Sequence, residues 1–245
     1  MKSLSLLYRY YFVISIFLLS NSYAQKLPKI IVFSKTQGYR HASIEDGIKS
    51  IATLGKENNF SVQATEDADE LVSLLDSCKA VVFLSTTGDI LNDAQQEKFK
   101  IFINNGGGFV GVHAAADTEY NWPWYGKMVG AYFESHPKQQ QAKIEVVNHK
   151  HPATAFLGNK WLKFDEWYNY KEINPAIKVL MKLDESSYIG GKNGQNHPIA
   201  WFHKFDGGKV FYTGLGHTKA SYQNPTFLKH ILGGIQYVIS ADKPD

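Results

Sequence analysis

Four short segments of the 245-residue chain carry residue types that do chemistry. They are Gly38-Tyr39-Arg40-His41, Thr86-Thr87-Gly88-Asp89, His113-Ala114-Ala115-Ala116-Asp117-Thr118-Glu119 and Gly214-Leu215-Gly216-His217-Thr218. Each holds at least one ionisable group, and three hold a histidine. Imidazole can act as general base, general acid, metal ligand or polar clamp near neutral pH. Histidine and carboxylate together suit Zn, Mn or Fe as a divalent ion. His41, His113 and His217, with Asp117 or Glu166, form one such set. The metal-free alternative has His113 exchanging protons with Asp89 or Glu166 as partner. No HExxH or similar short spacing occurs, so a metal site would be assembled from distant loops.

Each segment follows a stretch that reads as a β-strand. These stretches are Lys29–Ser34, Ala80–Ser85, Phe109–Val112 and Val210–Thr213, and Phe60–Thr65 reads as a further, shorter strand. A helix follows Ser43, with Ile44, Ile48, Ile51 and Ala52 at helical spacing and Ser43 and Asp46 placed like a capping box. Another runs from about Ala94 to Asn104, with Phe99, Phe102 and Ile103 on one side. Alternation of strand and helix predicts an α/β fold, a mostly parallel open sheet flanked by helices. In such sheets ligands bind beyond the carboxyl ends of the strands, where the four segments lie. Gly106–Ala116 (GGGFVGVHAAA) has the layout of a nucleophile elbow, with His113 where Ser or Cys would stand. The second half is richer in strands: Lys143–Val147, Lys178–Leu183, Ile199–Phe205 and Val210–Thr213. Asp206-Gly207-Gly208 reads as a hairpin turn. A closing helix starts at Asn224-Pro225 and buries Phe227, Leu228, Ile231, Leu232, Ile235 and Val238.

Aromatic residues make up 14% of the chain, more than the fold itself demands. Indole and phenol faces stack on sugar C–H faces while polar neighbours bond the hydroxyls. Trp122, Trp124 and Tyr125 follow the His113 segment and read as ligand or lid residues. Trp167 and Tyr168 flank Glu166, and Trp167, like Trp201, fits core and ligand roles equally well. His136 and His151, each before proline, read as turn residues; His197 and His203 as structural; His149 and His230 as surface.

Composition excludes several classes. A net charge of +3 with no basic cluster excludes a general nucleic-acid binder. The single cysteine, Cys78, excludes a disulfide framework and a cysteine-rich zinc site, and reads as a buried thiol. No GxGxxG follows the first strand and no P-loop lysine motif occurs, so NAD, flavin and ATP are not expected. Residues 1–24 read as a secretory signal peptide: Lys2 and Arg9, a short apolar stretch at Tyr11–Leu19, and small residues at Ser22 and Ala24. That stretch is too short to serve well as an anchor. Residues 25–245 would then be a single exported domain, periplasmic or secreted, with a net charge of about +1 and no membrane span.

The chain resembles the ThuA-like (trehalose-utilisation type) family. The likeness runs from about Lys29 to Val238. It rests on KTQGYRHASIEDG (35–47), FLSTTGDILND (83–93), GGGFVGVHAAADTEYNWPWYGKMVGAYFESHP (106–137), DEWYNY (165–170), HPIAW (197–201) and YTGLGHTKASY (212–222). The resemblance implies a bacterial protein, the class I glutamine amidotransferase-like fold and a link to carbohydrate use. It places His113 at the amidotransferase cysteine, His217 at its histidine and Lys219 where its acid would stand, so glutaminase activity is not expected. It also carries over His41, Asp89, His113, Asp117, Glu119, His136, Glu166 and His217 as the shared motif. The resulting expectation is an enzyme acting on a sugar or keto-sugar by hydrolysis, elimination or isomerisation. His113, His217, Asp117 and Glu166 would be catalytic. His41, Asp89, Glu119, Trp122, Trp124, Tyr125 and Trp167 would contact the substrate. The alternative is a non-catalytic sugar-binding module.

Overall fold

The computed structural model describes residues 27–241, so the signal-peptide expectation at residues 1–24 lies outside the described residues. The elements run β1 (Lys29–Phe33), α1 (Ile44–Glu57), β2 (Ser61–Thr65), α2 (Ala68–Leu74), β3 (Ala80–Leu84), α3 (Asp93–Asn104), β4 (Gly108–Val112), α4 (Pro123–Val129), β5 (Tyr132–Ser135) and β6 (Gln140–Val146). They continue through β7 (Lys160–Asp165), β8 (Asn169–Lys171), β9 (Lys178–Asp184), β10 (Pro198–Phe205), β11 (Gly208–Thr213) and α5 (Pro225–Ile239). Nine strands form one sheet in the order β2-β1-β3-β4-β11-β10-β9-β6-β7, and β5 pairs with β8 apart from it.

The sheet has two halves. From β2 to β11 neighbouring strands are parallel. β3 and β4 are buried along their whole length, as strands covered on both faces must be. From β11 to β7 all pairings are antiparallel. Asp206 and Gly207, both at positive φ, turn β10 into β11, as the sequence predicts.

Some local expectations change. Ser43 precedes α1 but does not cap it: its hydroxyl donates to the Gly216 carbonyl 3.2 Å away. A buried hydroxyl takes the nearest strong acceptor, and here that lies on another loop. The capping box belongs to α3 instead, between Asn92 and Gln95. At α5, Asn224 caps the Phe227 amide and Pro225 occupies the first turn. His230 is fully buried, not on the surface; its ring nitrogens meet the Ala153 carbonyl and the Thr213 hydroxyl. It lies three residues after Phe227, so helical spacing puts it on the inner face. His151 is also buried, its ring packed on Phe202, Phe211 and Tyr237. Cys78 is half-buried, and burial pushes its thiol up to about 11. Among the described residues no helix is long and apolar enough to cross a membrane.

Candidate active site

The β4 carboxyl end turns sharply at His113, which has φ +51, and the elbow reading holds. Its backbone is gripped from below, since Tyr212 donates its phenol hydrogen to the His113 carbonyl at 2.7 Å. The ring is fully buried, and Nδ1 lies 2.9 Å from the Gly214 carbonyl. A carbonyl only accepts, so Nδ1 carries a hydrogen, and Nε2 points away on the other side of the ring.

That nitrogen meets a convergence of ligand atoms. His113 Nε2 is 3.0 Å from His217 Nδ1 and 3.4 Å from Glu166 Oε2. His217 Nδ1 is 3.1 Å from the same carboxylate oxygen. His41 joins them: each of the four residues offers one atom, and all four atoms lie within 4.8 Å of one another. The three imidazoles stand nearly perpendicular, with centroids 4.9–5.0 Å apart and interplanar angles of 79–87°.

A lone pair facing a carboxylate oxygen repels it unless a cation or proton lies between them. Donors about 2.1 Å from a metal lie about 3.0–3.4 Å apart in octahedral or tetrahedral geometry. The 3.0, 3.1 and 3.4 Å separations fall in that range. His41 Nδ1 is buried without a hydrogen-bond partner. Burial, reinforced by the charges of His113 and His217, lowers the His41 pKa to about 3, so its ring is neutral and able to ligate. Burial alone would raise the Glu166 pKa. The hydrogen bonds and charges of His113 and His217 outweigh it and hold the carboxyl far below the usual range.

A pocket of about 320 Å³ opens beside the cluster. Tyr39, Phe133 and Tyr168 supply its aromatic lining; His41, Asp117, His136, Gln139, Glu166 and His217 supply its polar atoms. Tyr168 packs 4.3 Å from both the His113 and Phe133 rings. Asp117 accepts the Tyr120 hydroxyl on Oδ1 at 2.7 Å, and burial raises its pKa despite that bond. His136 is more than a turn residue, since its Nδ1 lies 3.2 Å from Glu166 Oε1. Gln139 lies 2.7 Å from the outer nitrogen of His217.

Six other expected site residues are placed elsewhere. Tyr125 is core: its ring stacks near Phe83 and its hydroxyl donates to the Ala115 carbonyl. Trp167 is fully buried and donates its indole N–H to the Gln140 carbonyl; its neighbour Tyr168 faces the pocket instead. Trp122 and Trp124 stack on each other, held by Phe99, Phe205 and a bond from Trp124 to Asp206. Glu119 is buried as a loop clamp, accepting the amides of Ile90 and Leu91 and the Gln96 side chain. Asp89 is exposed and accepts from Asn121. Tyr168 beside Glu166 and Tyr39 within the His41 segment both reach the pocket, whereas Phe133 and Gln139 carry no signal beyond residue type.

Comparison with known proteins agrees with this architecture. A ThuA-like protein from Bacteroides uniformis superposes with a TM-score of 0.76 at 24% identity, covering 91% of this chain and 96% of its own. One from Parabacteroides merdae gives 0.72 at 18% identity, over 88% and 91%. A β-galactosidase from Bacillus circulans sp. alkalophilus shares the fold over 86% of this chain and 31% of its own, with a TM-score of 0.57 at 14% identity. No curated protein matches. The family model described as ThuA, trehalose utilisation, matches residues 29–238, a span that contains the histidine–glutamate cluster and its pocket, and the chain therefore belongs to the ThuA family.

Proposed function

We propose that this chain is an exported bacterial enzyme of carbohydrate metabolism. It would hold a divalent metal on His41, His113, Glu166 and His217 and act on a sugar or keto-sugar in the adjoining pocket. One observation carries the reading: three imidazoles and a carboxylate from four distant segments bring their donor atoms within 4.8 Å of one another. Family membership supports the carbohydrate class. The leader-like character of residues 1–24 supports export.

Zn, Mn or Fe held there would supply a Lewis acid able to polarise a carbonyl or hydroxyl oxygen. The chain's own residues do the rest. Tyr39, Phe133 and Tyr168 offer ring faces to the apolar side of a sugar. Asp117 has no hydrogen-bond partner on Oδ2 among the described residues, and its raised pKa suits it to take or return a proton. Tyr120 holds its other oxygen in place. His136 reaches Glu166 Oε1 and presents a second imidazole to the pocket.

The test is metal analysis of purified protein, followed by turnover of a panel of disaccharides and their keto derivatives, read by NMR. The reading expects about one first-row divalent ion per chain and turnover that chelation removes. His113→Ala should lose turnover while keeping most ligand affinity. Protein with neither bound metal nor turnover refutes the reading. Sugar affinity without turnover in the unaltered protein points to the binding module instead.

A further inference from the structure

We propose that the Gly216 peptide fastens the ligand-bearing segments together, with Asp165, Lys163 and Ser43 as positioning residues acting through it; this rests on reading the cluster as a metal site. Asp165 Oδ2 accepts the Gly216 amide at 3.0 Å. Ser43 Oγ donates to the Gly216 carbonyl at 3.2 Å. Both polar groups of one peptide position are thus held, each by a different segment. Ser43 lies two residues after His41, Asp165 immediately precedes Glu166, and Gly216 immediately precedes His217. The fourth ligand is tied to the same loop, since His113 Nδ1 bonds the Gly214 carbonyl. The other three ligand-bearing segments are therefore each hydrogen-bonded to residues 214–216, which lead into His217.

The fastening is deeply buried and charged. Lys163 Nζ lies 3.3 Å from Asp165 Oδ2, with side chains 7% and 0% exposed. Ser221 joins both: it accepts from Lys163 at 2.8 Å and donates to Asp165 at 3.0 Å. A buried ion pair seldom stabilises more than apolar residues of the same size would, because desolvation offsets its attraction. What such a pair supplies is a fixed geometry. Gly216 fits the same account. Its φ is +108, and a Cβ there would sit 3.0 Å from the Tyr222 hydroxyl and 3.1 Å from Val112 Cγ1. The peptide is held in a slot where no side chain fits.

Ser43→Ala and Asp165→Asn in the full chain, stripped of metal and titrated with Co²⁺, test this. Each variant should raise the Co²⁺ Kd tenfold or more, the scale on which residues supporting metal ligands act. Each should also shift the visible band of the bound cobalt. Asp67→Ala, which removes the α2 cap, a side chain that bonds only the Asp69 and Glu70 amides among the described residues, serves as a stability control. It should lower Tm while leaving cobalt affinity unchanged. If Ser43→Ala and Asp165→Asn lower Tm but keep affinity within twofold and the band unmoved, the fastening is only scaffold and the proposal is overturned. If Asp165→Asn does not fold, Ser43→Ala decides alone. If the unaltered protein binds no cobalt, the metal reading itself fails and takes this proposal with it.

Discussion

His217→Ala offers the sharpest separation of metal binding from folding. The His217 side chain is 14% exposed at the pocket edge, so the space left by its removal opens into the pocket. It forfeits its contacts with His113, Glu166 and Gln139, at about 2–4 kcal/mol to the metal-free fold. For a domain of this size that lowers Tm by about 4–16 °C. Metal present at a hundredfold over its Kd stabilises a native site by about 2.7 kcal/mol, which raises Tm by about 5–10 °C. Residues that merely support a ligand cost 10–100-fold in affinity when removed, so losing a ligand should cost about 100-fold or more. The same metal concentration then gives about 0.4 kcal/mol, a rise of about 1 °C. The assay is thermal unfolding of chelator-treated protein with added Zn²⁺, Mn²⁺ or Co²⁺, with Mg²⁺ as control. Equal metal-induced shifts in the variant and the unaltered chain would refute the assignment of His217 as a ligand.

Three further outcomes follow from the geometry. Asp117 has a folded pKa raised above its unfolded value, chiefly by burial, so its contribution to stability is full below the unfolded pKa and declines as pH rises through the folded pKa. Asp117→Asn should therefore raise Tm at pH 7 and lose that advantage below about pH 4, while abolishing turnover; an unchanged pH–Tm profile contradicts this. Glu119→Ala strips the acceptor from two amides and a glutamine and should cost about 3–5 kcal/mol in urea unfolding; a loss under 1 kcal/mol means the clamp does not matter. Trp124→Ala removes the stack on Trp122 and the bond to Asp206, and should cost about 2–4 kcal/mol while leaving sugar affinity unmoved in calorimetry; weakened sugar binding would return Trp124 to the pocket.

The parallel half of the fold was legible because its signals are local. Apolar runs such as Ala80–Leu84 and the spacing of Ile44 and Ile51 report burial on two faces or one. The last strands carry weaker patterns: β7 exposes Leu162 and Phe164 and buries Lys163 and Asp165, the reverse of the usual alternation. Its inner face holds the ion pair that fastens the Gly216 loop, so hydrophobicity alone misreads it.

By itself, the order of residues determined that His41, His113 and His217 emerge at the carboxyl ends of parallel strands. His113 directly follows β4, His217 lies four residues past β11 and His41 eight past β1, so strand direction sends all three to that edge. Whether they meet, and with which carboxylate, was decided by tertiary structure: Glu166 arrives from the antiparallel half, and Asp89 and Glu119 turn outward or into loop amides. The aromatic residues divide in the same way. A tryptophan's type says that it will be covered, but only packing decides whether protein or ligand covers it. Here Trp167 is covered by the core, and Tyr168 faces the pocket.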